Sequence, residues 1–238
     1  MKKVSSLKRR FILERVAALP GLQEVGQTCL LLRRSISLAT KQQLLIATNN
    51  KGKEKEFALL FPEYELISQS SLGITPEEEI GSTFFENSLA KARFAASASS
   101  ILSLGDDSGL IVPALQNQPG LNSARYAGIN ASDADNRMQL KLALDELKLK
   151  ETKAYYVCVL ALIQNPEDPF PLISTGILQG TVKSKAAGEL GFGYDSMFYP
   201  IGSLLSCAQM DPLEKARISH RGKAIAGLKE KIQIHLAS

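Results

Sequence analysis

The chain has little from which to build a soft metal site or a covalent framework. It holds two histidines, His220 and His235, and three cysteines in 238 residues. Two histidines leave no room for metal chemistry based on histidine clusters. Cys29, Cys158 and Cys207 lie far apart, with no Cys-x-x-Cys pair and no zinc spacing. So low and odd a count gives no disulfide framework and fits a reducing compartment. Cys158, inside an apolar run, reads as a small core residue. No stretch approaches 18 consecutive apolar residues, so no membrane-spanning helix is expected. The GxxxxGK[ST] spacing of a Walker A loop is missing, as is the GxSxG of a nucleophile elbow. There is no internal repeat and no low-complexity segment. What remains is ordinary globular composition, 45% hydrophobic and 22% charged. That is enough to bury the core of one large or two-lobed domain.

The net charge of +4 is unevenly placed. Residues 1–42 hold nine of the 28 basic residues and two of the 24 acidic ones, leaving 19 basic against 22 acidic in the rest. The remainder is therefore no general nucleic-acid binder, and no stable nucleic-acid partner is expected. The basic, serine-containing segment 1–42 has three readings: an organellar transit peptide, a leader from a start placed upstream, or an accessory helix around residues 7–19. It lacks the apolar core and small-residue cleavage site of a secretory signal. The regular domain is expected over residues 43–238.

Within it, Leu44-Leu45-Ile46-Ala47-Thr48 reads as a buried strand. Residues 49–53 form a turn, and 53–61 a helix with Phe57, Leu60 and Phe61 on one face. Residues 64–67 give a second strand and 69–81 a polar loop. A long helix spans 83–100, with Thr83 and Glu86 at capping-box spacing. Short strands at 102–105 and 110–112 flank Asp106-Asp107-Ser108. A helix follows over 132–147, then a central strand rich in β-branched and aromatic residues over 154–163. Pro166, Pro169 and Pro171 mark a turn, and return strands cover 172–178 and 180–185. A closing amphipathic helix runs over 221–236. This mixture predicts an α/β fold with a mixed sheet.

Several blocks carry reactive groups. Thr48-Asn49-Asn50-Lys51-Gly52-Lys53 joins a strand to a helix, where backbone N–H groups and two lysines favour an anion; alone it is equally a polar turn. Asp106 and Asp107 are adjacent carboxylates, costly unless hydrated or neutralised by a cation. Hard ions such as Mg²⁺ take oxygen ligands, and a carboxylate there can activate water; the alternative is a solvated turn. Glu77-Glu78-Glu79 offers another carboxylate or a solvated loop. In Gly191-Phe192-Gly193-Tyr194-Asp195, glycines let backbone approach a ligand, Phe192 offers a stacking face and Asp195 an acceptor; a glycine-rich turn around a core aromatic is the other reading. Lys215 and Ser219-His220-Arg221-Gly222-Lys223 supply donors for a purine O6 or N7, with Ser219 also suited to cap a helix. Arg125, in the block 118–128, suits a structural ion pair or a phosphate.

Taken in order, TNNKGK (48–53), STFFENSLAKA (82–92), DDSGL (106–110), PGLNSARYAG (119–128), GFGYD (191–195) and SHRGKA (219–224) closely resemble the inosine triphosphate pyrophosphatase family, over residues 43–236. The resemblance implies Mg²⁺-dependent hydrolysis of ITP, dITP and XTP to monophosphate and pyrophosphate. It implies an elongated α/β fold with a central mixed sheet and flanking helices, two lobes around a substrate cleft, and a cytoplasmic homodimer. Residue by residue, Asp107 matches the proton acceptor and a metal ligand, and Glu79 a second metal ligand. Thr48, Asn49, Asn50, Lys51, Gly52 and Lys53 match the nucleotide-binding turn. Ser108 matches a substrate contact, and Phe192, Gly193, Tyr194, Asp195, Lys215, His220 and Arg221 match the base and sugar pocket. Two positions depart from the pattern: Ser196 stands where the family usually has proline, and Gln209 where it often has Glu. Residues 1–42 have no counterpart in the usual compact member.

Overall fold

The computed structural model describes residues 41–75 and 80–237. The N-terminal segment, with its expected helix around 7–19, and Glu77, Glu78 and Glu79 lie outside those residues. The described chain forms a six-stranded mixed sheet with helices on both faces. The strands are β1 (Gln43–Ala47), β2 (Glu65–Ser68), β3 (Ser103–Ile111), β4 (Glu151–Ile163), β5 (Leu172–Lys183) and β6 (Phe198–Pro200), in the order β2-β1-β3-β4-β5-β6. β1 pairs in parallel with β2 and β3, and all later pairings are antiparallel. The helices are α1 (Lys51–Leu60), α2 (Phe84–Ser99), α3 (Asp133–Glu146), α4 (Pro212–Ile218) and α5 (His220–Ala237).

Strand alternation sorts the core into two layers. Leu44 and Ile46 of β1 and Cys158, Leu160 and Leu162 of β4 face α1 and α5, meeting Phe57, Phe61, Ala224, Ile225 and Leu228. Ala161 and Ile163 point the other way, onto Ala92 and Ala96 of α2, and Leu45 and Ala47 meet Ala95 there. The small residues of α2 therefore let that helix lie close to the sheet. Its start is capped by Thr83, whose Oγ1 accepts the Glu86 N–H at 3.2 Å. The reciprocal bond of the expected box goes one residue further back, from Ser82 N–H to Glu86 Oε2 at 2.8 Å. α3 carries a complete box between Ser132 and Asp135.

Two expectations need correction. The segments 102–105 and 110–112 are parts of one continuous strand, and Asp106-Asp107-Ser108 lies within β3, paired residue by residue with Leu160, Val159 and Cys158 of β4. The acidic pair survives inside a strand because each carboxylate has cationic neighbours from remote elements. Likewise 172–178 and 180–185 form the single strand β5, with Gly180 opposite Ala154 of the long β4. The expected polar loop after β2 contains a short 3₁₀ turn, Gln69–Leu72. β6 and α4 carried no readable period, being three and seven residues long.

Candidate active site

The site exists because neighbouring strands end at different heights. β1 stops at Ala47, opposite Gly105, while β3 runs on to Ile111. Beyond Ala47 the chain turns away through Thr48-Asn49-Asn50, leaving room over Asp106 to Gly109. Thr48 is buried and its Oγ1 accepts the Asn50 N–H at 3.2 Å. Asn50 is the N-cap of α1, its Oδ1 accepting from Gly52 N at 2.9 Å and Lys53 N at 3.1 Å. Those two backbone donors, read from sequence as an anion seat, are thus satisfied by a side chain.

From α1 and α5 a buried chain of alternating charge crosses the space. Lys53 Nζ lies 2.9 Å from Asp106 Oδ1, and Arg221 Nε donates to Asp106 Oδ2 at 2.6 Å. Arg221 also donates to Glu56 and, at 3.0 Å, to Ser108 Oγ. Glu56 Oε1 lies 2.7 Å from Lys215 Nζ, which reaches Asp195 Oδ2 at 2.5 Å. Three cations and three carboxylates balance, which permits their burial. Arg221 is 1% exposed and Glu56 6%. Burial alone would raise the Glu56 carboxyl, but Arg221 and Lys215 outweigh it and hold the group down at about 2. Asp106 is lowered in the same way by Arg221 and Lys53 against its burial. Lys53 and Asp195 therefore sit at opposite ends of one ionic ladder, and Lys215 and Glu56 link the 191–195 turn to α1.

The base-side pocket is built around an aromatic pair. His220 opens α5 and stacks on Tyr156 with centroids 4.6 Å apart and planes 10° from parallel. It is 7% exposed, and its Nδ1 has no hydrogen-bond partner among the described residues. Burial, helped by Arg221, lowers the imidazole to about 3, so it is neutral near pH 7. Ser219, as expected, caps α5 by accepting the Gly222 N–H at 2.9 Å. Phe192 lies under two cations, with Lys215 Nζ 4.7 Å and Arg221 Cζ 6.0 Å from its ring centre. Its ring lies against α1 at Gly52, where a Cβ would fall 2.4 Å from ring carbons. The adjacent Gly193 is held at both backbone groups by α3: Asp133 Oδ2 accepts its N–H and Arg137 Nη1 donates to its carbonyl, each at 2.7 Å. Tyr194 is buried and donates to Ser123 O at 2.8 Å.

One cleft is lined by Asn50, Lys53, Ser108, Phe192, Gly193, Tyr194, Asp195, Lys215, His220 and Arg221 of the sequence-derived set. Asn49 is exposed beyond the end of β1. Lys51 is exposed and ion-paired with Glu54 at 2.9 Å, outside the cleft. Gly52 stands behind Phe192. Asp107 does not line this cleft, because strand alternation turns it to the α2 face while Asp106 and Ser108 face α5. There Asp107 Oδ1 meets Lys91 Nζ at 2.7 Å and Oδ2 meets Asn87 Nδ2 at 3.2 Å. Glu79 lies outside the described residues. Sequence reading missed Glu56, Tyr156, Asn87, Lys91, Ser123 and Asp133 as site residues. A period-2 reading of 154–163 marks Tyr156 as facing one layer, but nothing local distinguishes Glu56 from the exposed charges beside it.

Among the described residues no three His, Cys, Asp or Glu side chains converge as a metal cage. The donor at hand is the Asp107 carboxylate, a hard oxygen ligand. This fits Mg²⁺, which binds through one or two carboxylates while keeping waters and substrate phosphates as its other ligands.

Comparison with known proteins agrees with the ordered motifs. The Ham1 family profile matches residues 44–231. The chain is 43% identical over 194 residues to the dITP/XTP pyrophosphatase of Haemophilus influenzae, covering 81% of this chain and all of that protein. It is 43% identical over 188 residues to the enzyme of the same name from Legionella pneumophila strain Lens, covering 79% and 97%. Among solved structures, a HAM1 protein from Coxiella burnetii aligns with a TM-score of 0.72 at 39% identity, over 81% of this chain and 98% of that one. The Staphylococcus aureus Ham1 protein aligns at 0.70 and 36%, over 82% and 100%. With its motifs in order, its mixed sheet shared and most of its length matched, the chain belongs to the Ham1 family.

Proposed function

We propose that this chain hydrolyses noncanonical purine nucleoside triphosphates, ITP, dITP and XTP, to the monophosphate and pyrophosphate in a Mg²⁺-dependent reaction. The observation that carries the reading is the convergence of Lys53, Phe192, Lys215, His220 and Arg221 on one cleft from three distant stretches of chain. The relatives named dITP/XTP pyrophosphatase support it.

In this reading the purine stacks on Phe192. Neutral His220 and the Lys215 and Arg221 cations present donors to it, which suits the 6-oxo group of hypoxanthine or xanthine and opposes the 6-amino group of adenine. Arg221 spends much of its fork on Asp106, Glu56 and Ser108, so it acts in part by fixing Ser108. Lys53 turns its ammonium from Asp106 to the polyphosphate, and Arg221 keeps Asp106 neutralised meanwhile. Asp107, with Glu79, would hold Mg²⁺, which when bound neutralises phosphate charge and orients the leaving group. Asp107 also accepts the proton of the attacking water. The new bond forms at the α-phosphorus, the bond from that phosphorus to the bridging oxygen breaks, and pyrophosphate departs. Residues 43–238 carry this activity, in a cytoplasmic homodimer.

Pyrophosphate release with Mg²⁺ should be faster from ITP than from ATP by about 100-fold or more. Comparable rates would overturn the specificity. Asp107→Asn should reduce turnover by about 10²- to 10⁴-fold with an unchanged circular dichroism spectrum; full activity in that variant removes Asp107 from its role.

A further inference from the structure

Asn87 is 2% exposed near the start of α2, and the two ends of its amide do different work. Oδ1 accepts the Gly81 N–H at 2.8 Å. Nδ2 donates to Asp107 Oδ2 at 3.2 Å. The backbone N–H can only donate and an ionised carboxylate can only accept, so this orientation is the one that satisfies both; a flipped amide would oppose donor to donor and acceptor to acceptor. Lys91, one turn further along the same helix face, reaches the other carboxylate oxygen at 2.7 Å and Asp106 O at 3.2 Å. A Cβ on residue 81 would fall 2.4 Å from Asn87 Oδ1, so the approach depends on glycine there.

We infer that Asn87 is a positioning residue for the hydrolysis: it sets the plane of the Asp107 carboxylate from α2 while clasping the backbone just ahead of that helix. Held at both oxygens by groups on one rigid helix, the carboxylate keeps its direction as water and phosphate arrive. Such preorganisation acts on the chemical step more than on substrate affinity. The inference rests on Asp107 being the proton acceptor.

The two ends of the amide can be separated. Asn87→Asp keeps an acceptor for Gly81 N–H but loses the donor to Asp107; Asn87→Leu loses both. Both variants should lower kcat for ITP by about 10- to 100-fold, with KM within about threefold. A role confined to anchoring Gly81 instead leaves Asn87→Asp near wild-type turnover, and that result overturns the inference. Should the substitutions impair folding, the wild-type side chain can be read directly. The Asn87 side-chain amide resonance should shift in Asp107→Asn relative to wild type, and an unmoved resonance also overturns the inference. Failure of the underlying reading is distinct: it shows as full turnover in Asp107→Asn, whereas a dead Asp107→Asn beside a fully active Asn87→Asp rejects the positioning role alone.

Discussion

His220 shows how a side chain that is ordinary in sequence acquires a property from burial. In the unfolded chain its imidazole takes a proton as pH falls below about 6.5, whereas in the folded protein it resists until about 3. The folded state therefore binds fewer protons through that window, and stability is complete above pH 6.5 and declines as pH falls. The expected loss is about 3–5 kcal/mol at the acid end. Glu56 adds to it at lower pH: its stabilisation is present above about 4.5 and is lost as pH falls toward 2. Urea midpoints measured from pH 7.5 to 4 should fall for the wild type, and His220→Gln should flatten the section between 6.5 and 4.5. An equal slope in both proteins would place the titration elsewhere. Arg221 acts on both groups in the same sense, adding to the burial that lowers His220 and outweighing, with Lys215, the burial that would raise Glu56.

Elements rather than single residues decide how much of this site sequence can reveal. The runs 44–48 and 154–163 were legible as strands because they are apolar and β-branched, and α2 because its cap and small-residue face are local. The continuity of β3 was not legible. An Asp-Asp-Ser-Gly stretch has turn chemistry, and what keeps it extended is pairing with the remote Val157 to Leu160 of β4 and ion pairs to Lys53 and Arg221. The ordered blocks made most of the cleft legible, but Glu56 and Asn87 were not, since a buried polar residue and a solvated one look alike on an amphipathic helix. The contact of α1 with the 191–195 turn gives a test of how Phe192 is placed. Gly52→Ala raises the helix propensity of α1 yet places a methyl inside the space of the Phe192 ring. The melting temperature should fall, because the methyl overlaps the root of the Phe192 ring, and KM for ITP should rise about 10-fold as stacking is lost, a term of ~1–3 kcal/mol per base. An unaltered KM would mean that Phe192 does not stack on the base.

For the molecule as a whole, the family match begins at residue 44, and the Haemophilus enzyme is covered over its full length by 81% of this chain. Removal of residues 1–42 should accordingly leave kcat/KM for ITP within about twofold and the oligomeric state by light scattering unchanged; a change in either would give the basic segment a part in catalysis or assembly. No described helix is long and apolar enough to cross a membrane. The alternation of Asp106, Asp107 and Ser108 across the two faces of β3 also bears on how such an enzyme can diversify. One residue added or removed upstream within that strand would send Asp107 toward Arg221 and hand its former place to a neighbour, exchanging the two half-sites in a single step. Length changes are thus tolerable only in the connecting loops, and the strand itself can evolve by substitution alone.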